Sequence, residues 1–195
     1  MTRIIICRHG NTFDKGDIVR RVGARTDLPL STSGREQVKN LARELSGFNF
    51  SQAYCSALIR TQQTAVAIIN EETPLETLNF LTEIDYGEDE NKPEEEVVAR
   101  LGQDMIDLWD LDAIVPDGWL VNPEALIHAW ETFFDTQKGE DKDILVVTSN
   151  GVARFVLDVI TNPDFKTPRK LGTAAYGIVE LSANKTELIL WDKRA

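Results

Sequence analysis

An α/β fold with a three-layer arrangement, a mostly parallel central sheet between helices, is what this sequence predicts. Two observations carry that expectation. Short, continuously apolar runs at residues 4–7 and 144–147 end in polar, glycine-containing stretches, as strands buried on both faces do. Between such runs lie segments whose apolar residues recur at helical spacing, and strands alternating with helices imply a layered α/β architecture. The length, 195 residues, suits a single domain spanning 1–195. A core of that size buries about 70% of the surface of the unfolded chain without a disulfide or structural metal.

In chain order, residues 3–8 are the first strand, followed by a polar stretch to residue 32. Ser33, with Glu36 three residues on, forms a capping box for a helix carrying Val38, Leu41, Ala42 and Leu45 and ending at Gly47. Residues 50–55 are a second strand, and Ser56 is placed to cap a helix running to about Asn70. Residues 75–78 form a weak strand. The acidic, loop-like run at 82–96 opens a helical insertion of about residues 82–137, with amphipathic helices at 94–110 and 122–136. A strand at 143–148 leads into a helix at 151–161. Pro163 and Pro168 break the chain before a terminal hairpin of 174–181 and 186–191, whose exposed edge offers a surface for pairing two chains as a homodimer.

Composition narrows the function. The net charge of −11 is unevenly spread: residues 1–60 carry 10 Lys/Arg against 5 Asp/Glu, and residues 61–145 carry 4 against 22. An acidic chain is a poor partner for nucleic acid, and no apolar stretch approaches the ~20 residues of a membrane span. The N-terminus runs into a strand without a signal-peptide pattern. Cys7 and Cys55 lie beside apolar runs without metal-ligand spacing, as buried thiols of a reducing cytoplasm would. The basic first third still concentrates Arg8, Arg20, Arg21, Arg25 and Arg60, whose forks match phosphate oxygens; a solvated basic face is the alternative.

Ligands of open α/β sheets sit beyond the carboxyl ends of strands, and His9 stands there. A packed or capping histidine is one reading. The other is a nucleophile: Gly10 allows close backbone approach, Asn11 and Thr12 add donors, and the adjacent Arg8 cation disfavours protonation of the ring. A neutral imidazole beside guanidinium groups suits in-line attack on phosphorus. A metal-ligand role is the weaker alternative, because His128 is the only other histidine and no ligand spacing accompanies it.

The segment "RHGNT" (8–12) resembles the R-H-G-x-S/T signature of the histidine phosphatase superfamily, in its phosphoglycerate mutase-like branch. Four further segments follow in the family's order: "DLPLSTSGREQ" (27–37), "SALIRTQQTA" (56–65), "LTEIDYG" (81–87) and "LVVTSNGVAR" (145–154). The resemblance implies a metal-independent, cofactor-free phosphomonoesterase acting on a small phosphate ester. His9 would become a phosphohistidine, Arg8 and Arg60 would bind phosphoryl oxygens, Asn11 and Thr12 would lie in or beside the phosphate pocket, and Glu83 would protonate the leaving alcohol. Asp85 and Glu88 follow closely in sequence, and their negative charge would favour a protonated Glu83. Asn150 stands where the family has its second histidine, a phosphoryl donor that is often cationic. A neutral donor there would cost roughly 1–3 kcal/mol, about ten- to a hundredfold in rate. Lys15 stands where mutase-like relatives tend to have Asn, and the W-E-G after the Gly87 position is absent. Thr12 and the Asn150-Gly151 pair depart from the acid-phosphatase branch. A phosphatase needs only water to complete its cycle, whereas a mutase must return the phosphate. The alternatives are a catalytically weak or silent phosphate-binding module and, third, a phosphoglycerate mutase. Arg20, Arg21 and Arg25 are candidates for a second anionic group. His128, Trp109, Trp119 and Trp130 fit the surface or packing of the helical insertion.

Overall fold

The computed structural model describes residues 1–162 and 167–195. Six strands form one sheet in the order β3-β2-β4-β1-β5-β6: β1 (Thr2–Arg8), β2 (Phe50–Cys55), β3 (Leu75–Thr77), β4 (Asp143–Thr148), β5 (Ala175–Leu181) and β6 (Thr186–Arg194). The pairings β3-β2, β2-β4 and β4-β1 are parallel, and β5 joins β1 antiparallel. In β4 every residue from Asp143 to Thr148 is buried.

Alternate residues of the two central strands supply two separate cores. Ile4, Ile6, Ile144 and Val146 pack into one layer with Trp130, Phe133 and Phe134 of α5 (Pro123–Gln137) and Val152 of α6 (Asn150–Ala153). Ile5, Cys7, Leu145 and Val147 pack into the other, with Leu41 of α1 (Thr32–Glu44) and Ala65 of α2 (Ile59–Ile68). The three-layer α/β expectation is met. Cys7 and Cys55 are both buried free thiols, and burial pushes the Cys55 thiol up to about 11.

Several local expectations are corrected. The N-cap of α1 is Ser31, whose Oγ accepts from Gly34 N at 3.1 Å, not Ser33. The Asp14 carboxylate takes the Thr32 and Ser33 amides, and Glu36 turns outward to Lys39. Ser56 accepts from Leu58 N just ahead of α2, which ends at Ile68 rather than Asn70. The helix expected at 94–110 is two, α3 (Glu94–Leu101) and α4 (Gln103–Asp112), separated at Gly102, whose φ of 85° ends α3. The helix expected at 151–161 is one α-turn, α6, continued as a 3₁₀ stretch Arg154–Asp158. Of the two breaking prolines, Pro163 lies outside the described residues.

The hairpin of β5 and β6 is present, and β6 is an outer edge of the sheet with Ile189 47% exposed. No helix of the described residues is long and apolar enough to cross a membrane.

Candidate active site

The parallel register sets Arg8 opposite Thr148, so both strands end at the same level and deliver His9 and Asn150 to one side of the sheet. A cleft of about 800 Å³ opens there. Arg8, His9, Asn11, Thr12, Glu83 and Asn150 all line it.

His9 is 7% exposed and its backbone N–H donates to Thr148 O at 3.2 Å. Its ring Nδ1 lies 2.7 Å from the Gly10 carbonyl. A carbonyl only accepts, so Nδ1 carries the hydrogen and, in the neutral ring, Nε2 keeps its lone pair. Burial first, then the charges of Arg60 and Arg8, hold the imidazole well below its ordinary value of 6.5. The sequence reading named Arg8 alone; desolvation and Arg60 both outweigh it.

Arg8 donates from Nη1 to Leu171 O at 2.9 Å. Arg60 is fully buried and is not part of the cleft wall. Its fork holds the Thr26 carbonyl at 2.9 Å and the Gly23 carbonyl at 3.2 Å. It therefore sits behind the site, acting on His9 by its charge while folding the 23–26 loop onto α2. The Nε–H groups of Arg8 and Arg60 and the Ser149 hydroxyl are buried without a partner among the described residues.

The polar loop after β1 is pinned by α1. Asn11 N–H donates to Gln37 Oε1 at 2.9 Å, and Asn11 O accepts from Ser31 N at 2.9 Å. Gly34 makes this approach possible: a Cβ there would stand 2.0 Å from Asn11 O. Asn11 and Thr12 both line the cleft.

Glu83 is 6% exposed and bridges two elements. Its Oε1 accepts from Ile84 N at 2.9 Å and its Oε2 from Gly151 N at 3.4 Å. A Cβ on Gly151 would meet Glu83 Oε1 at 2.2 Å, so the glycine is what admits the carboxylate. Thr148 Oγ1 donates to Leu81 O at 2.7 Å and holds the preceding loop against the end of β4. Asp85 and Glu88 are each engaged by an arginine. Asp85 is taken by Arg25 in two bonds of 2.9 Å, and Glu88 lies 3.1 Å from Arg100.

Asn150 is oriented by its neighbour. Its Oδ1 accepts from Leu171 N at 2.9 Å. The backbone amide demands an acceptor, which fixes the side chain and leaves the Nδ2 hydrogens as donors on the cleft side. Leu171 thus clamps both Asn150 and Arg8, one through its N–H and the other through its C=O.

The remaining candidates separate. Arg20 and Arg21 line the cleft; Arg20 donates to Asn91 O, while Arg21 pairs with Glu94 and lies 5.4 Å over Tyr86 and 5.2 Å over Trp119. Arg25 is committed to Asp85 and is absent from the cleft wall. His128 has an 81% exposed side chain, 3.7 Å from Glu131, and does not replace the missing imidazole. Trp109, Trp119 and Trp130 are core residues, though Trp109 also reaches the cleft. Sequence reasoning missed Tyr86, Asp110 and Lys170, all on the cleft. Tyr86 had a signal, standing three residues after Glu83; burial pushes its phenol up. Among the described residues no cluster of three or more His, Cys, Asp or Glu side chains is placed to hold a metal ion.

Comparison with known proteins gives the arrangement a family. The family model of the histidine phosphatase superfamily (branch 1) matches residues 4–194. A phosphatase of Bacillus subtilis, PhoE, is 31% identical over 194 residues, covering 95% of this chain and 91% of that protein. A 2,3-bisphosphoglycerate-dependent phosphoglycerate mutase of Rhizobium etli is 31% identical over 115 residues, covering 56% of this chain and 54% of the mutase. Among solved structures, Bacillus stearothermophilus YhfR superimposes with a TM-score of 0.79 at 20% identity, covering 100% of this chain and 98% of its own. The chain belongs to the histidine phosphatase superfamily, branch 1, and is an enzyme of the phosphatase type.

Proposed function

We propose that the chain, acting as a single domain in the cytoplasm, is a metal-independent phosphomonoester hydrolase that works through a phosphohistidine at His9. The observation that carries this reading is the state of the His9 ring, buried and uncharged with Nδ1 committed to Gly10, so that Nε2 is the free nucleophile.

In the first step Nε2 attacks phosphorus and the ester oxygen departs. Arg8 from the cleft wall and Arg60 from behind offset the charge on the spectator oxygens; the unpartnered Nε–H of Arg8 is a donor that a bound phosphoryl group would employ, and Arg60 acts through its charge. Asn11, Thr12 and the Asn150 amide add neutral donors. Glu83, fixed by Ile84 N and Gly151 N, gives the leaving oxygen its proton and in the second step takes one from the water that cleaves the P–N bond. The small-molecule substrate enters through the same cleft.

Hydrolysis is preferred to phosphate return because a phosphoenzyme open to water needs no further machinery to turn over. A neutral Asn150 favours a slow enzyme, and carried further it would favour a phosphate-binding module without turnover. The same experiment separates these. Purified protein should hydrolyse a generic aryl phosphate, and His9→Ala should lower kcat by at least about three orders of magnitude. Turnover that persists in His9→Ala would refute the phosphohistidine route, and phosphate binding without any turnover would leave the binding module. Pairing of chains through the β6 edge is a separate proposal, which sedimentation of the wild-type chain against an Ile189→Lys variant tests.

A further inference from the structure

Residue 150 lacks the positive charge that the family's second histidine often carries, and Lys170 stands on the same cleft. We infer that Lys170 leaves Asp110 when substrate binds and donates to the phosphoryl oxygens, as the cation that Asn150 is not. This rests on the phosphatase reading above.

Three observations support it. Lys170 lines the same cleft as Arg8, His9 and Asn150. It immediately precedes Leu171, whose peptide is bonded to both Asn150 Oδ1 and Arg8 Nη1 at 2.9 Å, so its backbone is anchored beside the phosphoryl donors while its flexible stem is free to move. Its ammonium is 2.8 Å from Asp110 Oδ2, and its side chain is 56% exposed. The lysine end of the pair is exposed to solvent, which screens it and keeps the cost of its release low. Asp110 would not be stranded, because the buried Arg154 lies 3.2 Å from its other oxygen. A dianionic phosphate monoester offers the lysine a stronger partner than one shared carboxylate.

Other cations on the cleft are less suited. Arg20 and Arg21 are engaged by Asn91 and Glu94, and Lys15 stands on an exposed turn with no link to Asn150 or Arg8.

The test is a double-mutant cycle on aryl phosphate hydrolysis with wild type, Lys170→Met, Asn150→His and the double variant, and thermal unfolding of each. Lys170→Met should lower kcat/KM about tenfold or more in the wild-type background, and clearly less in the Asn150→His background, where an imidazole supplies the charge. Lys170→Arg should keep most activity, the melting temperature should hold, and Lys15→Met should show no coupling to position 150. If Lys170→Met disturbs folding, Lys170→Gln takes its place in the cycle. Equal losses in both backgrounds, or no loss in wild type, would overturn the inference while leaving a His9-dependent phosphatase standing. A wild type without turnover would overturn both.

Discussion

The carboxyl ends of β1 and β4 are neighbours in one sheet, in register from Arg3 opposite Asp143 to Arg8 opposite Thr148, yet they do different work. The β1 end carries permanent charge and a titratable ring: Arg8, then His9 with Arg60 behind it. The β4 end carries neutral donors only, Ser149 and Asn150, and borrows its one charge, Glu83, from a loop more than sixty residues earlier. The lesson is that a strand end supplies position, while its chemistry is set by what the rest of the chain brings to it. Burial and two arginines hold the His9 ring uncharged. Asn150 is oriented because Leu171 N–H binds its Oδ1.

Removing the borrowed charge breaks the comparison most sharply. Glu83→Gln keeps the shape but cannot release or take a proton, and should lower kcat by roughly 10²–10⁴ for alkyl phosphates. The loss should shrink for an aryl phosphate with an acidic leaving group, which departs unaided; equal losses for both substrates would remove Glu83 from the acid role.

Making the two ends alike is the next test. Asn150→His restores a chargeable donor and, in the Lys170→Met background where no second cation serves, should raise kcat/KM by about ten- to a hundredfold, measured at pH 6 to 7. An unchanged or lower rate would mean that residue 150 is set to orient the phosphoryl group through the Leu171 clamp and not to bear charge.

The smallest expected effect lies in pH. A His9 ring held well below 6.5 leaves kcat/KM without an acid limb in the ordinary histidine range; a limb centred there would contradict the burial argument. The same displacement makes a stability prediction. Below 6.5 the unfolded chain binds a proton at His9 that the native chain refuses, so this residue lowers stability as pH falls, and His9→Ala should flatten that slope in urea unfolding.

Much of the β1 end was legible in the sequence. The apolar runs marked both central strands, and Arg8, His9, Asn11, Thr12 and Asn150 beyond them line the cleft. What escaped depended on contacts across long sequence distances. Nothing in residues 82–96 shows that Arg25 takes Asp85 or that Arg100 takes Glu88. Ser33 had the capping-box spacing, but Asp14 satisfies the first amides of α1 from outside the helix, leaving the cap to Ser31. Arg60 carried its motif, while its burial behind the 23–26 loop follows only from the fold. Lys170 had no signal, since it acquires a neighbourhood only when Leu171 meets Arg8 and Asn150.

The central claim is that an uncharged His9 accepts the phosphoryl group. Rapid mixing of the protein with an aryl phosphate, quenching in alkali to preserve the P–N bond, and mass analysis of the peptides measures it directly. One phosphoryl group on the peptide carrying His9, formed and lost at rates matching turnover, is the predicted result. Steady hydrolysis with an unmodified His9, or a phosphoryl group on any other residue, would contradict it.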